Sequence, residues 1–242
     1  MKSKIKDFYS KISYAIIPFI IFISIVLISY WGVQLLYNHG LIQGSQYHKI
    51  SLDDNVPLIS EFVYIYFFTF PLGIFLFFYL AYTNKTAFYN LLITCIIAFT
   101  LSGIIYLCAE TFVTRPDFEP QSFTDKFLVY TWGASNINNF PSQHCFMAFS
   151  VIIGAVTANG KDKERKMNKI FIVFAVICSI LICLSTIFTK QHYCMDIVAS
   201  FVIMFTIYPI ISVFKIGDKV KTWQEKRTTK RLENKLNKIG KN

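Results

Sequence analysis

The chain has 242 residues, of which 54% are hydrophobic, 17% aromatic and 16% charged, and its formal net charge is +10. A soluble domain of this length carries nearer a quarter charged residues, so the composition excludes an ordinary water-soluble fold. Apolar runs of about 20 residues recur, long enough to cross a bilayer core of about 30 Å. They point to an all-α membrane protein built as one helix bundle.

The positive excess sits in "MKSKIKDFYSK", in "GKDKERKMNK" (160–169) and in the tail from Lys215. Short basic flanks of apolar spans report orientation and contact with anionic lipid, which argues against nucleic acid as a partner. The six cysteines (Cys95, Cys108, Cys145, Cys178, Cys183 and Cys194) lie mostly inside apolar runs and form no CxxC pair. Such cysteines act as small hydrophobes, and the spacing points to neither a disulfide framework nor a metal site.

Six spans are expected, at about 13–36, 62–82, 88–109, 143–158, 170–189 and 192–214. The first follows a basic stretch, but it is too long for a signal peptide and no small-x-small cleavage site follows it. It reads as an uncleaved span. After the third span, Ser122 stands three residues before Asp125, a capping-box-like start. Phe123, Phe127 and Tyr130 follow at i, i+4, i+7, which suits a short amphipathic helix on the outer membrane surface. A packed loop with scattered aromatics is the alternative. The fifth and sixth spans form one apolar stretch over 170–214, about twice what a bilayer needs at 1.5 Å per residue. The polar "TKQH" is where the chain turns, so "TKQHYCMD" (189–196) reads as a hairpin tip. Residues 1–214 then form the membrane domain, and 215–242 a basic cytoplasmic tail. The tail carries two apolar stripes, Val220 with Trp223 and Leu232 with Leu236 and Ile239, which do not align on one helix. Two short interfacial segments, or a frayed tail held to anionic lipid, are expected.

Counting basic residues orients the bundle. With the N-terminus inside, segments 1–12, 83–87, 159–169 and 215–242 are cytoplasmic and hold nearly all the Lys and Arg. The opposite side receives an acid-leaning set: Asp53, Asp54, Glu61, Glu110, Asp117, Glu119 and Asp125 against Lys49, Arg115, Lys126 and Lys190. Both termini are therefore expected in the cytoplasm of a multi-pass cell-membrane protein.

The outer ends of four spans also gather polar chemistry. Arg115 follows the third span, Ser142 and His144 open the fourth, Ser185 and Thr186 close the fifth, and Lys190, His192 and Asp196 open the sixth. Each has a structural reading taken singly. Arg115 can snorkel at an interface, Pro141-Ser142 can simply start a helix, and His192 with Asp196 can be an i,i+4 hydrogen bond on a helix. Their convergence on one side favours a common site. Two histidines, two cations, a serine and one carboxylate suit phosphoryl transfer. Cations, hydroxyl and helix-start amides hold the oxygens, Asp196 orients His192 for attack, and His144 protonates the departing oxygen. A serine-hydrolase reading leaves Arg115, Lys190 and one histidine without roles.

These residues resemble the type 2 phosphatidic acid phosphatase superfamily of integral membrane lipid phosphatases. Its pattern is Lys-x6-Arg-Pro, then Pro-Ser-Gly-His, then Ser-Arg-x5-His-x3-Asp. Arg115-Pro116, Pro141-Ser142-Gln143-His144 and Ser185-Thr186-x5-His192-x3-Asp196 match it in order and spacing. The resemblance implies that His192 is the nucleophile, Asp196 its partner, His144 the acid, and Arg115 and Ser142 phosphate ligands. Three positions depart from the pattern: Cys108 for Lys, Gln143 for Gly and Thr186 for Arg. Lys190 is the candidate to restore a lost cation, and Gln143 is counted with the phosphate-binding set. "KQHY" followed by Asp196, with "FPSxH" upstream, is similar to the branch of inositol phosphorylceramide synthases and their bacterial relatives.

The expected function is a lipid phosphatase that needs no metal or other cofactor. Its substrates would be phosphatidate-like lipids or polyprenyl diphosphates, attacked through a phosphohistidine. The competing readings are a headgroup transferase using the same His/His/Asp set, and a non-catalytic protein that binds or transports anionic lipid. A transporter site would normally lie nearer the bilayer midplane.

Overall fold

A computed structural model describes residues 2–42, 49–109, 111–134, 137–158 and 166–239. Helix α1 (Lys2–Leu27) runs through a π-helical turn (Ile28–Gly32) into α2 (Val33–Asn38), and a short α3 (Ser51–Asp54) follows. Two long helices, α4 (Phe62–Thr83) and α5 (Lys85–Cys108), meet at Asn84. The remainder is α6 (Phe123–Ala134), α7 (Gln143–Thr157), α8 (Lys166–Phe188), α9 (Cys194–Val213) and α10 (Ile216–Ile239). Among the described residues, five helices are long and apolar enough to cross a membrane: Lys11–Asn38, Phe62–Thr83, Lys85–Cys108, Lys169–Phe188 and Cys194–Val213.

The expected fourth span is α7, and it is different. Its 15 residues are apolar but reach only about 22 Å at 1.5 Å per residue. It is also the axis of the bundle, packed against α4, α5, α8 and α9, with most of its side chains buried. Phe99 of α5, with Phe146 of α7, anchors the main core, which continues into Leu76, Leu80 and Ile182.

Local chemistry sets the helix ends. Asn84 accepts from the Ala87 amide (3.1 Å), capping α5, while its Nδ2 donates to the Thr157 carbonyl at the end of α7 (3.0 Å). Ser142 caps α7 by accepting from the Cys145 amide (3.3 Å), so the helix starts one residue after the serine and Pro141 lies outside it. The α1–α2 helix comes close to α5: a Cβ on Gly103 would lie 2.9 Å from the Ser29 Cβ. The π-helical turn carries Ser29 at this crossing and turns it inward. Such turns re-aim individual side chains in an otherwise regular helix.

The capping box expected before α6 is present. Ser122 Oγ accepts from the Asp125 amide (3.0 Å), and Asp125 Oδ2 accepts from the Ser122 amide (2.8 Å). Hydrogen bonds from Ser60 first, and then from Ser122, hold the Asp125 carboxyl down to about 2. The predicted aromatic stripe is divided, however. Phe127 stacks on Phe67 and Tyr64 of α4, whereas Phe123 and Tyr130 are 78% and 75% exposed. Leu128 and Trp132 form the buried face with Val63.

The tail is not two short segments. It is one helix, α10, whose first turns dock on α5 and the end of α9. The Gly217 amide donates to Asn90 Oδ1 (2.8 Å), Thr86 Oγ1 donates to Asp218 (2.7 Å), and Gln224 Nε2 reaches the Tyr14 carbonyl (3.4 Å). Docking sets the direction of the first turns, and Lys, Arg, Glu and Leu, all good helix formers, continue the helix without a second apolar face being needed. The side chains of Leu232, Leu236 and Ile239 lie outside the described residues. Because α10 packs where α5 begins and α9 ends, it lies at the opposite end of the bundle from the "TKQH" turn.

Candidate active site

The C-terminus of α8 ends in a motif that needs a left-handed residue. Lys190 adopts φ 53°, its amide donates to the Ile187 carbonyl (3.1 Å), and the Gln191 amide reaches back to the Thr186 carbonyl (3.0 Å). This is the Schellman arrangement of helix ends, with lysine where glycine is usual. The His192 amide also donates to the Thr186 carbonyl (3.0 Å). The family's arginine position is thus used here through its backbone, while the Thr186 hydroxyl donates to its own helix at Cys183.

Because α9 begins at Cys194, His192 lies outside the helix. The expected i,i+4 contact on a helical face is therefore made across a helix start instead. Asp196 Oδ2 accepts from the Tyr193 amide (3.0 Å) and faces His192 Nδ1 (3.1 Å). The Asn139 carbonyl faces the same Nδ1 at 2.9 Å. Two acceptors on one ring nitrogen make that nitrogen the N–H donor, so in the neutral ring Nε2 carries the lone pair. Both His192 and Asp196 are buried, where such hydrogen bonds are electrostatically stronger than in water.

His144 sits in the first turn of α7, its ring 6.1 Å from that of His192 between centroids. Tyr66 stacks on it at 3.9 Å and Phe70 meets it edge-on at 5.0 Å, which fixes the plane of the imidazole. Arg115 reaches in from the segment after α5. Its guanidinium donates to the Trp132 carbonyl (2.5 Å) and to Gln191 Oε1 (3.1 Å), and it lies 5.8 Å from the Trp132 ring centroid. Burial brings it down to about 10, so it keeps its charge at neutral pH. A desolvated cation of this kind gains by meeting an anion.

A cavity of about 230 Å³ opens beside these groups, with Arg115, Lys190, His192, Thr114 and Tyr193 in its wall. Burial lowers the Lys190 ammonium, and Asp53 opposes that shift. Lys190 Nζ donates to the Val56 carbonyl (2.5 Å).

Of the sequence candidates, His192, Asp196, His144, Arg115 and Lys190 come together. Ser142 is fully buried as the α7 cap, its amide facing the Asp196 carbonyl (3.4 Å). Gln143 is not brought to the cavity. Its Nε2 donates to Ser29 (2.9 Å) and Ser102 (2.8 Å), which makes it a strut between α7, the π-helical turn and α5. An amide has this reach and the family's glycine does not. Cys108 is exposed at the end of α5. Sequence reasoning missed Asn139, Gln191, Trp132 and Tyr193. Trp132 also donates to the Thr189 carbonyl (2.8 Å), and Tyr193 Oη accepts from the Thr114 amide (3.0 Å). For Asn139, Gln191 and Tyr193 the sequence signal is adjacency to the motifs, in "NNFPSQH" and "KQHY"; Trp132 lies outside them and carries no such signal.

No curated protein and no solved structure gives a significant match to the chain. The PAP2 superfamily pattern does match, over residues 91–216, just over half of the sequence. That span holds every motif residue described above, and the chain belongs to the PAP2 superfamily, whose members are generally phosphatases or phosphotransferases acting on lipid phosphates.

Proposed function

We propose that this protein is a metal-independent lipid phosphatase that cleaves a phosphate ester or diphosphate of a lipid through a phosphohistidine. The observation that carries the reading is His192. Its Nδ1 faces both the Asn139 carbonyl (2.9 Å) and Asp196 (3.1 Å), and the ring borders a cavity that also holds Arg115 and Lys190.

In the first step Nε2 attacks phosphorus, the bond from phosphorus to the lipid oxygen breaks, and the departing oxygen takes a proton from His144. In the second, water attacks the phosphohistidine, its proton passes to His144, and the P–N bond breaks to release inorganic phosphate. Arg115, Lys190, Ser142 and the first amides of α7 are assigned to the phosphate oxygens. The two imidazole centroids stand 6.1 Å apart, which supports roles for both rings on one phosphoryl group.

The bundle is assigned six crossings, with α7 as a short one whose N-terminus is recessed below the outer surface. The site then faces outward, and α10 and both termini face the cytoplasm. A second reading follows from the "KQHY" resemblance: the histidine carries a phospholipid headgroup and an alcohol replaces water as acceptor. The test is purified protein in EDTA against phosphatidate and polyprenyl diphosphate, with free phosphate and transferred headgroup both measured. Phosphate release lost in His192→Ala supports the phosphatase, and headgroup transfer without phosphate supports the transferase. Equal phosphate release by wild type and His192→Ala would sink the phosphohistidine mechanism. No turnover of either kind by wild type would leave anionic-lipid binding or transport.

A further inference from the structure

The family pattern expects a cation at position 108 and another at 186. Here Cys108 is exposed at the far end of α5, and the Thr186 hydroxyl donates to the Cys183 carbonyl, so neither restores the lost charge. The cavity beside His192 nevertheless has a cation in its wall that lies outside all three motifs and outside the matched region: Lys49.

Lys49 precedes α3 in a strap that the α8–α9 turn holds by three hydrogen bonds. The Cys194 amide donates to Asp53 Oδ1 (2.8 Å), Lys190 Nζ to the Val56 carbonyl (2.5 Å), and the Ile59 amide accompanies them, donating to the Phe188 carbonyl (3.0 Å). Asp53 is buried, and its other oxygen accepts from the Ile50 amide (2.8 Å). The strap is thereby fastened to the segment that carries His192, and Lys49 is placed at the cavity by tertiary structure. Lys49 pairs with Asp54, but the pair is solvent-exposed, 38% and 63% by side chain. Exposed pairs of this kind are weak and screened, so a dianion in the cavity can compete with Asp54 for the ammonium.

We propose that Lys49 is a substrate phosphate ligand, supplying with Lys190 the positive charge that the motif positions lack, and that Asp54 holds it in place between turnovers. The assignment rests on the phosphate-site reading above. It also gives a division of labour: Arg115 is held rigidly by Trp132 and Gln191, whereas Lys49 is exchangeable and is delivered by the strap.

The test uses full-length protein in detergent, with two readouts: thermal stabilisation by inorganic phosphate and steady-state hydrolysis of a short-chain phosphatidate. Lys49→Met is expected to raise KM about tenfold, the loss of one charge-assisted hydrogen bond, with kcat within about twofold. It should also weaken phosphate stabilisation, and Lys49→Arg should restore both. Asp54→Asn removes the competitor and should lower KM. Unchanged KM and unchanged phosphate stabilisation in Lys49→Met, with Arg115→Met strongly impaired, would overturn the role of Lys49 and leave the site reading standing. Absence of phosphate stabilisation and of hydrolysis in the wild type would overturn both.

Discussion

Replacing Asp196 by asparagine separates two things that a carboxylate does for a catalytic histidine. It selects the tautomer, and it stabilises positive charge on the ring as the ring reacts. In the Ser-His-Asp triad of serine proteases both are lost together, and asparagine costs about 10⁴ in kcat because the wrong nitrogen is protonated. Here the Asn139 carbonyl also faces Nδ1, at 2.9 Å against 3.1 Å for Asp196 Oδ2. A backbone acceptor survives the substitution, so Nδ1 stays the donor and the lone pair stays on Nε2, the nitrogen proposed to attack. What disappears is the charge of one buried hydrogen bond, worth roughly 1.5–3 kcal/mol, which converts to about 10- to 150-fold in rate. The asparagine oxygen can still accept from the Tyr193 amide, so the start of α9 persists. The assay is single-turnover phosphate release from a lipid phosphate by wild type, Asp196→Asn and His192→Ala in parallel. Asp196→Asn should fall between the other two. A loss as complete as that of His192→Ala, with the melting temperature unchanged, would refute the claim that the Asn139 carbonyl shares control of the tautomer. No loss at all would refute the contact between Asp196 and His192.

Two further outcomes concern the frame around the site. Gln143→Gly, which restores the family residue, removes both bonds to Ser29 and Ser102 and leaves a void. It should destabilise the protein by about 2–3 kcal/mol, read as a lower denaturation midpoint, and an unchanged midpoint would deny the strut. At Gly217 a Cβ would collide with Asn90 Oδ1 and lie 2.7 Å from the Thr86 carbonyl, whereas at Gly73 it would meet the end of a flexible methionine, Met147 Cε. Gly217→Ala should therefore loosen α10, seen as faster proteolysis after Lys215, and Gly73→Ala should not. Equal protection of α10 in the two variants would contradict the docking.

Some of the site was legible because its chemistry is local in the chain. His192 and Asp196 are four residues apart, Ser142 and His144 two apart, and a turn in a long apolar stretch marks the hairpin that carries the first pair. The contacts of Gln143 were not legible, for the opposite reason. At one residue from His144 it reads as part of the same surface, yet adjacent positions on a helix point about 100° apart, and Gln143 faces Ser29 and Ser102. Periodicity likewise grouped Phe123, Phe127 and Tyr130, while packing against Tyr64 and Phe67 took only Phe127.

Composition, charge distribution and motif spacing by themselves determine that this is an apolar helical protein with phosphoryl-transfer motifs, because hydrophobic run length and residue order are properties of the chain alone. Which nitrogen of His192 is free was decided by a carbonyl 53 residues away at Asn139. Where Arg115 is held was decided by Trp132 and Gln191. That Lys49 borders the cavity was decided by a strap fastened to a turn more than 130 residues later. Backbone carbonyls are the same in every residue and leave no trace in the sequence, so their use as ligands and acceptors appears only when the fold brings distant segments together.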